Sequence, residues 1–122
     1  MAKAPITFDT ITKIGLTLPG AELSTAYGSP ALKAGGRMFA VMATNKSAEP
    51  NSLCVCVDFE TRDELMAADP DVYYTADHYL TYPSVLVRLS RVHRDALPDL
   101  LAMGCRFALS RAKRKPRKRR AG

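Results

Sequence analysis

The densest run of residues able to do chemistry lies at the C-terminus. Arg111, Lys113, Arg114, Lys115, Arg117, Lys118, Arg119 and Arg120 put eight cations and no acid into residues 111–122. Cations at that density release the condensed counterions of a nucleic acid or other polyanion, an attraction indifferent to base sequence. Pro116 interrupts a helix and like charges repel, so a tail disordered beyond about Arg114 is expected. The formal charge of +6 conceals this division. Without the tail's eight, 10 of the 18 Lys and Arg face 12 Asp and Glu, so residues 1–110 are slightly acidic.

A second group of cations surrounds a glycine pair. Lys33 and Arg37 flank Gly35-Gly36, and Lys46 sits in the following loop. A two-stranded ribbon fits the major groove of B-DNA, so a hairpin here could present both residues to phosphates. Base edges are read mainly by Arg, Asn and Gln. The chain has no Gln, and its only Asn, Asn45 and Asn51, share one loop. Binding would therefore act through the backbone, independent of sequence. Arg88, Arg91 and Arg94 could extend a basic strip, but strand alternation sends Arg88 and Arg91 to opposite faces.

Signs of catalysis are weak. Asp77-His78 places a carboxylate beside an imidazole, yet adjacent strand residues point to opposite faces. His93 falls in a turn. A nucleophile elbow, a glycine-rich phosphate loop and a His-Glu-x-x-His helix are all missing, and no enzymatic activity and no cofactor are expected. Cys54 and Cys56 share one strand face, opposite Leu53, Val55 and Val57. With Cys105 they form neither a disulfide framework nor a metal-ligand set, so reduced, buried thiols and no metal are expected. Tyr73, Tyr74, Tyr79 and Tyr82 suit sheet positions. As a functional patch they would hold a partner or stack on unpaired bases.

The elements that must position these groups follow from pattern. Phe8, Ile11, Ile14 or Gly15, and Leu18 recur at helical spacing after Thr7, and Pro19-Gly20 ends that helix. Residues 21–29 are expected to be a connection. Strands follow at 31–34 and 37–43 across the Gly35-Gly36 turn, then at 52–58. Met38, Ala40 and Met42 should share one face, with Phe39, Val41 and Ala43 on the other. Thr61-x-x-Glu64 is a capping box for a helix over 62–68. Strands at 73–77 and 84–90 precede a last helix capped by His93 or Asp95, whose stripe is Leu97, Leu100, Leu101, Cys105, Ala108 and Leu109. Gly104 within it implies close approach to the sheet.

The order α–β–β–β–α–β–β–α implies an α+β fold of two layers, an antiparallel sheet with helices on one face. At 122 residues and 47% hydrophobic content, one domain with a real core is expected, as residues 1–110 followed by a tail over 111–122. The N-terminus lacks the apolar stretch of a signal peptide and no run is long enough to cross a bilayer, so a cytoplasmic protein without a membrane partner is expected.

Several stretches together resemble the MmcQ/YjbR family of small bacterial proteins. They are Leu18-Pro19-Gly20, Tyr27-Gly28-Ser29-Pro30-Ala31-Leu32-Lys33, Met38-Phe39-Ala40 and Tyr82-Pro83-Ser84-Val85-Leu86-Val87-Arg88-Leu89. The resemblance covers about residues 5–110. It implies the same element order in a secretion-chaperone-like fold, and members are commonly labelled DNA-binding through two hairpin wings. Cys105-Arg106-Phe107 departs from the bulkier aromatic expected before the Arg, and the tail lies outside the resemblance. The function expected is non-catalytic, sequence-independent DNA binding through the hairpin wing and the basic tail. The alternative is a chaperone-like protein-interaction module with no nucleic-acid role.

Overall fold

The computed structural model describes residues 6–26 and 28–114, with side chains to Arg111. Helix α1 spans Phe8–Gly15 after Thr7, whose N–H donates to Thr10 Oγ1 at 3.4 Å. It buries Ile11 completely. Four strands follow: β1 (Ala21–Ala26), β2 (Ser29–Ala34), β3 (Arg37–Met42) and β4 (Ser52–Cys56). Then come α2 (Phe59–Ala68), β5 (Tyr73–Tyr74), β6 (Ser84–Arg88), a 3-10 turn at Arg94–Ala96, and α3 (Leu97–Arg114).

The strands form one six-stranded sheet in the order β1-β2-β3-β4-β6-β5, with every neighbouring pair antiparallel. The expected α+β architecture holds, with one strand more than the sequence implied. Residues 21–26 are not a connection but the edge strand β1, paired with all of β2. The hairpin at Gly35-Gly36 forms as expected, with φ of +62° and +80° at the two glycines, the positive values a primed turn needs.

β3 departs from simple alternation. Leu32 pairs with Ala40 and Lys33 with Met38, which leaves Phe39 as an extra residue on β3. Such a bulge turns two successive side chains toward one face. Phe39 and Ala40 therefore both join the main core, while Met38 and Val41 go to the other side.

The main core lies between the sheet and the helices. Leu32, Phe39, Leu53, Val55, Val85 and Val87 meet Ile11 of α1 and Leu97, Leu100, Leu101, Cys105 and Ala108 of α3. The stripe expected on α3 is thus buried, with Leu109 half-buried beside it. A Cβ on Gly104 would lie 3.0 Å from Val55 Cγ1 and 3.2 Å from Phe39 Cδ1; the helix passes that close to the sheet. On the opposite face Ala31, Val41, Cys54 and Leu86 form a smaller cluster with Tyr79, Tyr74 and Ala76.

Several boundaries also move: β2 begins at Ser29 rather than 31, β3 ends at Met42 rather than 43, β4 ends at Cys56 rather than 58 and β6 at Arg88 rather than 90. The N-cap of α2 is Asp58, whose Oδ1 accepts from Thr61 N–H at 2.8 Å, so the helix begins three residues before the expected Arg62. Strand β5 ends at Tyr74, and residues 75–83 leave the sheet to cross its second face.

Candidate functional site

The turn at Gly35-Gly36 delivers Lys33 and Arg37 to the same place. Strand β2 brings Lys33 opposite Met38, and the tight turn sets Arg37 opposite Ala34. Helix α3 brings Arg111. These three cations line one cleft of about 400 Å³ with Thr25, Cys56, Tyr82, Pro83 and Phe107 among its walls. Among the described residues that line it there is no Asp or Glu. Glu22 is the cross-strand neighbour of Lys33, yet among the described residues none of the three cations has an ion-pair partner.

The aromatic walls come from separate segments. Phe107 lies one helical turn before Arg111, whose guanidinium carbon sits 5.3 Å from the ring centroid, within cation–π range. Tyr82 stands at the end of the 75–83 segment and is 43% exposed. Arg62 fixes that segment, donating from Nη1 to Leu80 O at 2.8 Å.

Cys56 closes β4 and reaches the cleft half-buried. A hydrogen bond from Cys54 pulls its thiol below the ordinary value; burial opposes this and the Arg111 charge adds to it. Cys54 is pushed well above the ordinary value by the same hydrogen bond and by desolvation. All three cysteines are free; Cys54 and Cys105 are buried as expected, whereas Cys56, at the end of β4, is only half-buried.

The remaining expected site residues do not converge here. Lys46 is exposed in the loop after β3 and does not line the cleft. Lys113 and Arg114 continue the backbone of α3, so the start of the tail is helical. Lys115, Arg117, Lys118, Arg119 and Arg120, and with them the expected disorder, lie outside the described residues. Arg88 is committed elsewhere, to Glu49 at 2.8 Å, so it adds no free charge to a basic strip.

The tyrosines scatter as well. Tyr73 and Tyr79 are buried in different clusters. Tyr74 spends its hydroxyl on Ser52 Oγ at 2.5 Å and Glu49 N–H at 2.8 Å; of the described tyrosines, Tyr82 lines the cleft. Asp77 and His78 are exposed, and the His78 ring meets Tyr79 edge-on at 5.1 Å. Among the described residues no three His, Cys, Asp or Glu gather as metal ligands. No described helix is long and apolar enough to cross a membrane.

Sequence reasoning found the cations but missed their companions. Phe107 and Arg111 are four apart on a helix, a spacing that places them on one face. Cys56 and Tyr82 had no such signal, because the sheet register and the 75–83 crossing bring them in.

A family model for YjbR matches residues 16–103. The crystal structure of the Deinococcus radiodurans protein DR2400, with family-model domain DUF419, superposes with a TM-score of 0.60 at 26% identity. The match covers 78% of this chain and 72% of that one. No curated protein matches the sequence.

Proposed function

Because the chain belongs to the YjbR family, we propose that it is a non-catalytic nucleic-acid-binding protein that grips the backbone without reading sequence. Lys33 and Arg37 of the hairpin supply the folded domain's share of the contact. Arg111 connects that share to the basic tail, from Lys113 through Arg120. The observation that supports this reading is the convergence on one cleft of three cations that have no carboxylate partner among the described residues, in an otherwise slightly acidic domain. A local positive field of this kind attracts phosphates whatever the net charge. The tail adds charge density, and its cations release counterions in proportion to the phosphates they neutralise.

One feature shapes how the hairpin is used. β1 pairs with β2 along its whole length, so the β2–β3 hairpin lies inside the sheet. A wing free on both edges could enter a major groove; this hairpin offers its turn and one face instead.

The test compares the full chain with a chain ending at Ser110, by anisotropy of a labelled oligonucleotide of mixed sequence at low salt. Binding by the full chain that weakens on truncation supports the reading. No binding by either chain refutes it.

A protein-interaction role is the second reading, favoured by β1. Among the described residues its outer edge has no partner strand, and Leu23 on it is 54% exposed. Such an edge accepts an added strand. A stoichiometric protein partner captured by the chain ending at Ser110, and insensitive to nuclease, would support this role over the first.

A further inference from the structure

We infer that the cleft takes one unstacked nucleotide at a time, so that the chain prefers single-stranded nucleic acid to intact duplex. This rests on the nucleic-acid reading and names the form of ligand that the same site admits.

Shape is the first argument. The cleft is a concavity of about 400 Å³, the scale of a small-ligand pocket. A duplex keeps its bases stacked and offers a concavity only its phosphates. The element that could have entered a duplex groove, the β2–β3 hairpin, is flanked by β1. Bringing a base out of a duplex costs its stacking and pairing, whereas a single strand presents bases already free.

The lining is the second argument. Backbone attraction alone needs cations and no aromatic residues. Here Phe107 and the 43% exposed Tyr82 share the cavity with Lys33, Arg37 and Arg111. Aromatic faces between backbone-tracking cations are how single strands are held irrespective of sequence. Arg111, already positioned over the Phe107 ring, adds a planar guanidinium on which a base stacks. Cys56 lies in the same wall, so a seated base covers a thiol whose accessibility can be read.

The experiment uses the full chain, with a labelled oligothymidylate and a blunt duplex of equal length at one salt concentration. Three variants accompany it: Tyr82→Ala, Phe107→Leu to keep the packing volume, and Lys46→Gln as a cation outside the cleft. The inference expects the single strand to bind tighter, by about tenfold or more, and Tyr82→Ala to weaken it roughly five- to 150-fold, as loss of one stacked base does. Phe107→Leu should weaken it too. Lys46→Gln should shift the single strand and the duplex alike. Oligothymidylate should also slow the alkylation of Cys56 by iodoacetamide. Equal or tighter duplex binding, with Tyr82→Ala silent and Cys56 labelling unchanged, overturns the inference while backbone binding stands. Absence of binding to either ligand overturns both.

Discussion

Arg88 and Glu49 are joined by two parallel hydrogen bonds, Nε to Oε1 and Nη2 to Oε2, each 2.8 Å long. The guanidinium also lies 4.2 Å from the Tyr74 ring centroid and donates from Nη1 to Pro70 O and Asp71 O. A bidentate pair of this kind is geometrically specific. It pins the loop after β3 against β5 and β6. It also shows the difference between a cation used for structure and those left over at the cleft.

Acid should loosen this clasp. The hydrogen bonds from Arg88 hold the Glu49 carboxyl below its ordinary value of 4.5, and the Thr61 hydroxyl and N–H do the same for the Asp58 carboxyl. A carboxyl depressed in the folded state adds stability above its unfolded value, and that stability is lost as pH falls through the folded value. Stability should therefore decline as pH drops below about 4.5. Glu49→Gln should lower the urea midpoint at pH 7 and shrink the difference between pH 7 and pH 3. Urea titrations of both proteins at the two pH values check this.

Gly104 should resist substitution. Alanine would gain about 1 kcal/mol in helix propensity. Its Cβ would also press on Val55 and Phe39, both fully buried, and lie 3.4 Å from the Cys56 carbonyl oxygen. Overpacking costs about 1–3 kcal/mol, and the cost should prevail because both neighbours are fully buried in the core. Gly104→Ala is expected to be destabilising by chemical denaturation and Gly104→Val more so.

Cys56 should be the fastest thiol in the folded protein. It is half-buried at the cleft while Cys54 and Cys105 are buried, and its thiol is held below the ordinary value. Thiolate fraction and access together set reactivity. Native labelling with a thiol reagent should show one fast phase, absent in Cys56→Ser. Arg111→Gln should slow that phase by removing a nearby positive charge.

Much of the fold was legible because the strong signals were local. The Gly35-Gly36 turn, the alternation of Leu53, Val55 and Val57, and the stripe from Leu97 to Ala108 all sit where their periods put them. β1 was not legible: Ala21-Glu22-Leu23-Ser24-Thr25-Ala26 has no apolar face, since an edge strand with Leu23 exposed needs none. The bulge at Phe39 was hidden because it is a property of the β2–β3 register. The cap at Asp58 was hidden because the Thr61-x-x-Glu64 spacing imitates a capping box three residues further on. At the cleft, charge could be read along the chain, whereas the meeting of Arg37, Arg111, Cys56 and Tyr82 depends on contacts between distant segments.

The most direct measurement is the salt dependence of oligonucleotide binding by the full chain and by the triple variant Lys33→Gln, Arg37→Gln and Arg111→Gln. On a single strand, each neutralised phosphate contributes about 0.7 to the slope of log K against log salt, so three lost contacts should flatten it by about two. That flattening together with weaker binding at low salt is the expected result. An unchanged slope and affinity would contradict it, leaving the cleft without a part in binding.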